Sequence, residues 1–169
     1  MVWIWSSTPS KCNPFWAVPK KVVAANNTIT STLTFPNSWT ISDVNLVDFD
    51  MTHTDIEDLE ITLTSPNGTD VRLFNNDCND DDENLFLTFD DEGSASFPCP
   101  VTNGNAYQSL DDNLSDFDGE NASGTWTLTV ESTSSSDNGT LNGWSLEVST
   151  PNLGSASDGA IEDYEFYIS

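Results

Sequence analysis

Positive charge is nearly missing from this sequence: 169 residues carry four Lys and Arg against 28 Asp and Glu, a formal net charge of −24. Neutralising phosphates needs a Lys/Arg surface, so no nucleic-acid partner is expected. An anionic membrane surface is disfavoured on the same ground, and no apolar run approaches the ~20 residues of a spanning helix. Histidine occurs once, at His53. A Ser/His/Asp triad would need it, yet no Gly-x-Ser-x-Gly elbow accompanies it, and the chain is expected not to be an enzyme. With 28 acids, neighbouring carboxylates arise by chance, so a glycosidase pair carries no weight. No Asp-x-Asp-x-Asp-Gly loop of the EF-hand kind is present. Residues 1–11 lack the basic start and long apolar run of a secretory leader, so a secreted chain is expected in mature form.

What is present is alternation. The runs Gly124–Val130 and Gly139–Val148 both open on Gly-Thr and alternate apolar with polar residues. The period places Trp126, Leu128 and Val130 on one strand face and Trp144, Leu146 and Val148 on one face of a neighbouring strand. A block at His53–Phe74 is built in the same way around a Ser-Pro-Asn-Gly turn. Strands are expected at Thr28–Phe35, Ile41–Thr52, Leu59–Ser65, Asp70–Phe74, Asn84–Phe89, Ala122–Glu131 and Asn142–Ser149. Asn67-Gly68 and Asn138-Gly139 supply turns with a positive-φ residue. Many short strands with no helical stretch predict an all-β sandwich.

The ends differ from this body. Residues 1–25 hold Trp3, Trp5, Phe15 and Trp16, with Pro9, Pro14 and Pro19 breaking any helix. They are expected to form an extended arm. Residues 1–42 carry Lys11, Lys20 and Lys21 and no acid. The remainder carries all 28 acids against Arg72 alone, giving a +3 arm on a −27 body. Such asymmetry suggests a tail that docks on an acidic surface. The body is expected over 26–150. Residues 151–169 read as a Gly/Ser linker and a short last strand around Tyr164, Phe166 and Ile168.

Five elements in order carry a resemblance. These are His53-Thr54 followed by Asp58-Leu59, Leu63–Phe74, Thr88–Ser94, Leu114–Val130, and the Gly-x-Leu-x-x-Trp-x-Leu ending at Gly139, Leu141, Trp144 and Leu146. Together they resemble the P domain (Homo B domain) of proprotein convertases and bacterial secreted proteases. Gly93 stands where the family usually has Ala. The resemblance implies a jelly-roll sandwich of about eight strands, an extracellular or cell-surface location, a structural role for His53, and often bound calcium. Cys78 with Pro98-Cys99-Pro100 is similar to a bacterial Cys…Pro-Cys-Pro subset, which implies a Cys78–Cys99 disulfide and leaves Cys12 over. Asp58, Asp90 and Asp91 stand at family-like acidic positions and are the expected calcium ligands. Asp77, Asp80, Asp81 and Asp82 crowd the Cys78 loop, and a solvated acidic loop is the alternative. Sequons at Asn26, Asn67, Asn113, Asn121 and Asn138 are candidate glycan attachment points.

Two functions follow. The first is a subunit of a self-assembling extracellular filament. In it the arm adds as a strand to another copy, Trp3, Trp5, Phe15 and Trp16 supply anchors, and Lys20 and Lys21 meet the neighbour's carboxylates. Burying four or five such apolar side chains would contribute on the order of 10 kcal/mol before entropy. The second is an accessory P domain of a secreted bacterial protease, or a surface adhesion module.

Overall fold

The computed structural model describes residues 20–78, 83–93 and 96–151. The expected anchors Trp3, Trp5, Phe15 and Trp16, the unpaired Cys12, the acids Asp80, Asp81 and Asp82, and the last strand near Tyr164 lie outside them.

Among the described residues, strand-forming alternation becomes strand wherever it was expected. Among the described residues there are β1 (Lys21–Val23), β2 (Asn27–Phe35), β3 (Asp43–His53), β4 (Leu59–Thr64), β5 (Asp70–Asn75), β6 (Leu85–Phe89), β7 (Ala106–Tyr107), β8 (Gly124–Ser132) and β9 (Gly139–Ser149). Two 3-10 turns, Ile56–Asp58 and Leu114–Phe117, are the helical elements there. One sheet has the order β1-β9-β3-β6-β7, the other β2-β8-β4-β5. The chain crosses between sheets at the β1–β2, β2–β3, β3–β4, β5–β6, β7–β8 and β8–β9 connections, giving a jelly-roll sandwich.

β8 and β9 are therefore not a paired hairpin, contrary to the sequence reading. Each lies in a different sheet. Both alternate with the same phase, so both send a tryptophan into one core from opposite walls. Trp126 and Trp144 are buried there with Phe35, Phe49, Phe74, Phe89 and Phe117. Phe117 meets Trp126 edge-on at 5.0 Å between ring centroids.

The sandwich also begins earlier than the expected boundary at Asn26. β1 pairs antiparallel with β9, Lys21 opposite Leu141 and Val23 opposite Gly139. Three residues are too few for a periodic signal, which is why the sequence assigned them to the arm.

The Ser-Pro-Asn-Gly turn is tied down twice. Ser65 Oγ accepts from the amides of Asn67 (3.2 Å) and Thr69 (3.3 Å) and donates to Glu120 Oε2 at 2.7 Å. Thr69 Oγ1 donates to the other oxygen of the same carboxylate. Gly68 at φ 90° supplies the left-handed residue. The Gly93 departure has a packing cause. A Cβ there would stand 2.8 Å from the Asp90 carbonyl and 3.2 Å from that of Ala106.

Candidate functional surface

β3 runs the length of the sandwich, about 30 Å at the usual rise, and separates two polar ends. At one end lie His53, the Ile56–Asp58 turn and the β8–β9 connection. At the other lie Asp43, the Asp90–Gly93 loop, the Leu114–Phe117 turn and the Ser65–Thr69 turn.

At the first end His53 is buried. Its Nδ1 lies against the carbonyl and the amide of Asp55, the amide at 3.2 Å. Its Nε2 is buried without a partner among the described residues. The ring edge abuts Gly139, where a Cβ would come within 2.5 Å of the imidazole. This is a packed structural histidine, with no hydroxyl or thiol bonded to it among the described residues. A cleft of about 370 Å³ opens beside it, lined by Val22, Thr52, Glu83, Asn84 and Asn138 among others. Asp137 closes the neighbouring turn. Hydrogen bonds from Ser134, Thr54 and Ser136 hold its carboxyl below the usual range, at 2.6, 2.8 and 2.9 Å.

The expected calcium ligands do not meet. Asp58 is at the first end, where its carbonyl accepts from the amide and hydroxyl of Thr133. Asp90 and Asp91 are at the second, and their carboxylates are engaged. Asp90 accepts from the Glu92 amide at 2.8 Å. Asp91 accepts from the amides of Leu114 (3.1 Å) and Ser115 (2.8 Å) through its two oxygens. Among the described residues no three His, Cys, Asp or Glu side chains converge as a metal site. Asp58, Asp90 and Asp91 thus do not fit one calcium ion; the latter two cap backbone turns.

The second end is nonetheless electrostatically loaded. Burial, then repulsion from Asp43, raises the Glu92 carboxyl above its ordinary value. Asp118 is raised by burial, then by Asp43 and Asp91. Asp43 Oδ2 accepts from Asn45 Nδ2 (3.4 Å) and Ser149 Oγ (3.3 Å).

Cys78 and Cys99 are joined as a disulfide, Cα atoms 5.3 Å apart. The five sequon asparagines are all exposed. Asn121 accepts from the Ser123 amide (3.0 Å) and donates to Ser38 Oγ (2.8 Å). Asn138 accepts from the Ala25 amide (3.0 Å) and donates to the Ser136 carbonyl (3.2 Å). Of the basic pair, Lys20 is exposed just before β1, whereas Lys21 donates its ammonium to the Thr30 carbonyl on β2. Glu120, which clamps the Ser65–Thr69 turn, was not singled out from sequence, because no spacing rule links residues half a domain apart.

Two sheets over an aromatic core, with a buried histidine and carboxylates committed to turns, define a β-sandwich module. Residues 42–148 match the proprotein convertase P-domain family, and the chain belongs to that family. Similar solved structures include the crystal structure of an Aeromonas sobria serine protease in complex with its chaperone, 19% identical with a TM-score of 0.51, covering 84% of this chain and 27% of that one. The Aeromonas sobria serine protease crystallised by itself gives 19% and 0.50, with 85% of this chain and 28% of that one covered. The chain spans about a quarter of the length of these structures. At that identity the likeness concerns the fold. A comparison with curated proteins finds no match.

Proposed function

We propose that this chain is an accessory P domain of a secreted bacterial protease or of a related surface protein. It contributes binding and stability rather than bond-breaking. The observation that carries the reading is the family match over residues 42–148 on an intact sandwich whose single histidine is packed away. The extracellular setting is supported by the Cys78–Cys99 disulfide and by a high negative charge suited to salty or calcium-rich fluid. The exposed sequons at Asn26, Asn67, Asn113, Asn121 and Asn138 are the proposed glycan carriers.

The test pairs an activity assay with a binding assay. The purified chain should not hydrolyse casein, and it should raise the melting temperature of a secreted subtilisin-like catalytic domain on mixing. Hydrolysis abolished by His53→Ala would overturn the reading, as would the absence of any shift across several such domains.

A second reading is a subunit of an extracellular filament, a homopolymer joined head-to-tail through the segment before β1. One observation favours it: residues 1–42 carry three Lys and no acid, whereas the remainder carries all 28 acids against Arg72 alone, so the two ends of the charge distribution are complementary between copies.

A further inference from the structure

We propose that a pocket on the outer face of the five-stranded sheet, lined by Phe86 and Asp48, takes the guanidinium of an arginine presented by a partner protein. Neither reading above assigns this face, and the inference does not depend on which of them holds.

The pocket is about 180 Å³ and is lined by Asp48 on β3, Phe86 to Thr88 on β6, and Gly104 to Ala106. Small-molecule sites usually run to about 300–1,000 Å³. This one has room for a single side chain rather than a whole cofactor.

Alternation along β6 sends Leu85, Leu87 and Phe89 into the core and leaves Phe86 outside, 51% exposed. Among the described residues it is the one exposed aromatic side chain. Its backbone is fixed by the loop that precedes β7. The Phe86 amide donates to Asn103 Oδ1 at 2.7 Å, and the Phe86 carbonyl accepts from the Gly104 amide at 2.6 Å. The ring therefore rises from a backbone that is held on the pocket side.

β3 supplies the charge. Its pairing with β6 shifts between Leu46 and Phe49, and within that irregularity Asp48 takes φ 52°. Asp48 is exposed and lines the pocket. Asp50 stands directly opposite Phe86 in the strand register, and its carboxylate accepts from Asn142 Nδ2 at 3.0 Å. An aromatic ring with carboxylates beside it attracts a cation through the ring face and the charge together. Guanidinium suits it best. It is planar, stacks on a ring and bonds a carboxylate through paired N–H groups, whereas an ammonium is a compact, strongly hydrated point charge.

The chain's one arginine, Arg72, is on β5 in the other sheet, so the guanidinium comes from a partner. Residues 43–169 carry 28 acids against that arginine, and their field draws a basic partner toward the sandwich.

The test follows backbone amide shifts of the full chain by NMR during titration with N-acetyl-arginine methylamide in about 0.15 M salt, where long-range attraction is screened. Saturable shifts confined to Asp48, Phe86 to Thr88 and Gly104 to Ala106 are expected. The citrulline analogue, neutral and of the same shape, should bind about tenfold more weakly. Phe86→Leu keeps an apolar side chain but removes the ring face, and should weaken binding about tenfold. Asp48→Asn removes the charge alone, since Asn tolerates a positive φ, and should weaken binding about threefold. Both positions are exposed, and melting curves matching the wild type confirm that the variants fold. Shifts scattered over the acids of both sheets and unchanged in Phe86→Leu would reveal diffuse attraction to a chain of charge −24 and overturn the site. Equal binding of the citrulline analogue overturns the cation. A lysine analogue that binds as tightly as the arginine probe overturns the guanidinium, and the absence of localised shifts overturns the pocket.

Discussion

The indole Nε1 of Trp144 on β9 donates to Ser31 Oγ on β2 at 3.0 Å, both side chains buried between the two sheets. The bond stitches the two walls of the sandwich together. Ser31→Ala would leave a buried N–H without an acceptor, at a cost of about 1–3 kcal/mol. Urea unfolding of the variant checks this. A change within a few tenths of a kcal/mol would mean that water enters and replaces the hydroxyl.

Asp91 is expected to act as a turn cap. Asp91→Ala removes the acceptor of two amides at the Leu114–Phe117 turn and should destabilise by about 1 kcal/mol. The loss should be the same size in EDTA and in added calcium, measured by thermal melts. A loss that appears in calcium alone would restore Asp91 as a ligand.

Asp118 should make stability fall with rising pH. Its folded value is raised, chiefly by burial and then by Asp43 and Asp91. The folded chain therefore holds this proton more tightly than the unfolded chain. The contribution is full below the ordinary carboxylate value and is lost as pH rises through the raised one. Asp118→Asn should raise the melting temperature at pH 7 and reduce the gain that the wild type shows on acidification toward about pH 5. Equal pH profiles for the two proteins would refute it. Asp137 works in the opposite direction, since its lowered value ties stability to ionisation and loses it as pH falls.

The disulfide closes a sequence separation of 21 between Cys78 and Cys99. Reduction should cost about 3 kcal/mol in the chain-entropy view. The chain with Cys78→Ala and Cys99→Ala, unfolded in urea, measures it directly. A midpoint unchanged from the oxidised wild type would count against any stabilising role.

The sequon asparagines should separate by what their amides already do. Asn121 and Asn138 each hold one hydrogen bond to a distant segment, Ser38 and Ala25, and one within their own turn. Asn121→Ala and Asn138→Ala are each expected to cost about 1 kcal/mol. Asn113, whose side chain makes no capping bond at its turn, should tolerate Ala with a change below about 0.5 kcal/mol. Thermal melts of the three variants decide the order.

Strand existence, the jelly-roll class, the family and the Cys78–Cys99 pairing were all legible in the sequence. Alternation with period two is imposed by the pleat itself, and each expected strand from Thr28–Phe35 to Asn142–Ser149 has its inward residues buried. Partnership between strands was not legible. Trp126 and Trp144 carry the same pattern whether their strands pair side by side or face each other, because burial on one face says nothing about which sheet supplies it. Only the crossing of the chain after Ser132 decided that. The calcium ligands failed for a related reason. Asp58, Asp90 and Asp91 look alike as acids in turns, and distance along β3 decides that Asp58 stands at the far end. Lys21 shows the same limit from the other side. Its charge was legible in the sequence, but the bond of its ammonium to a carbonyl of β2 follows only from β1 lying beside that strand, where the carbonyl gains a charged donor.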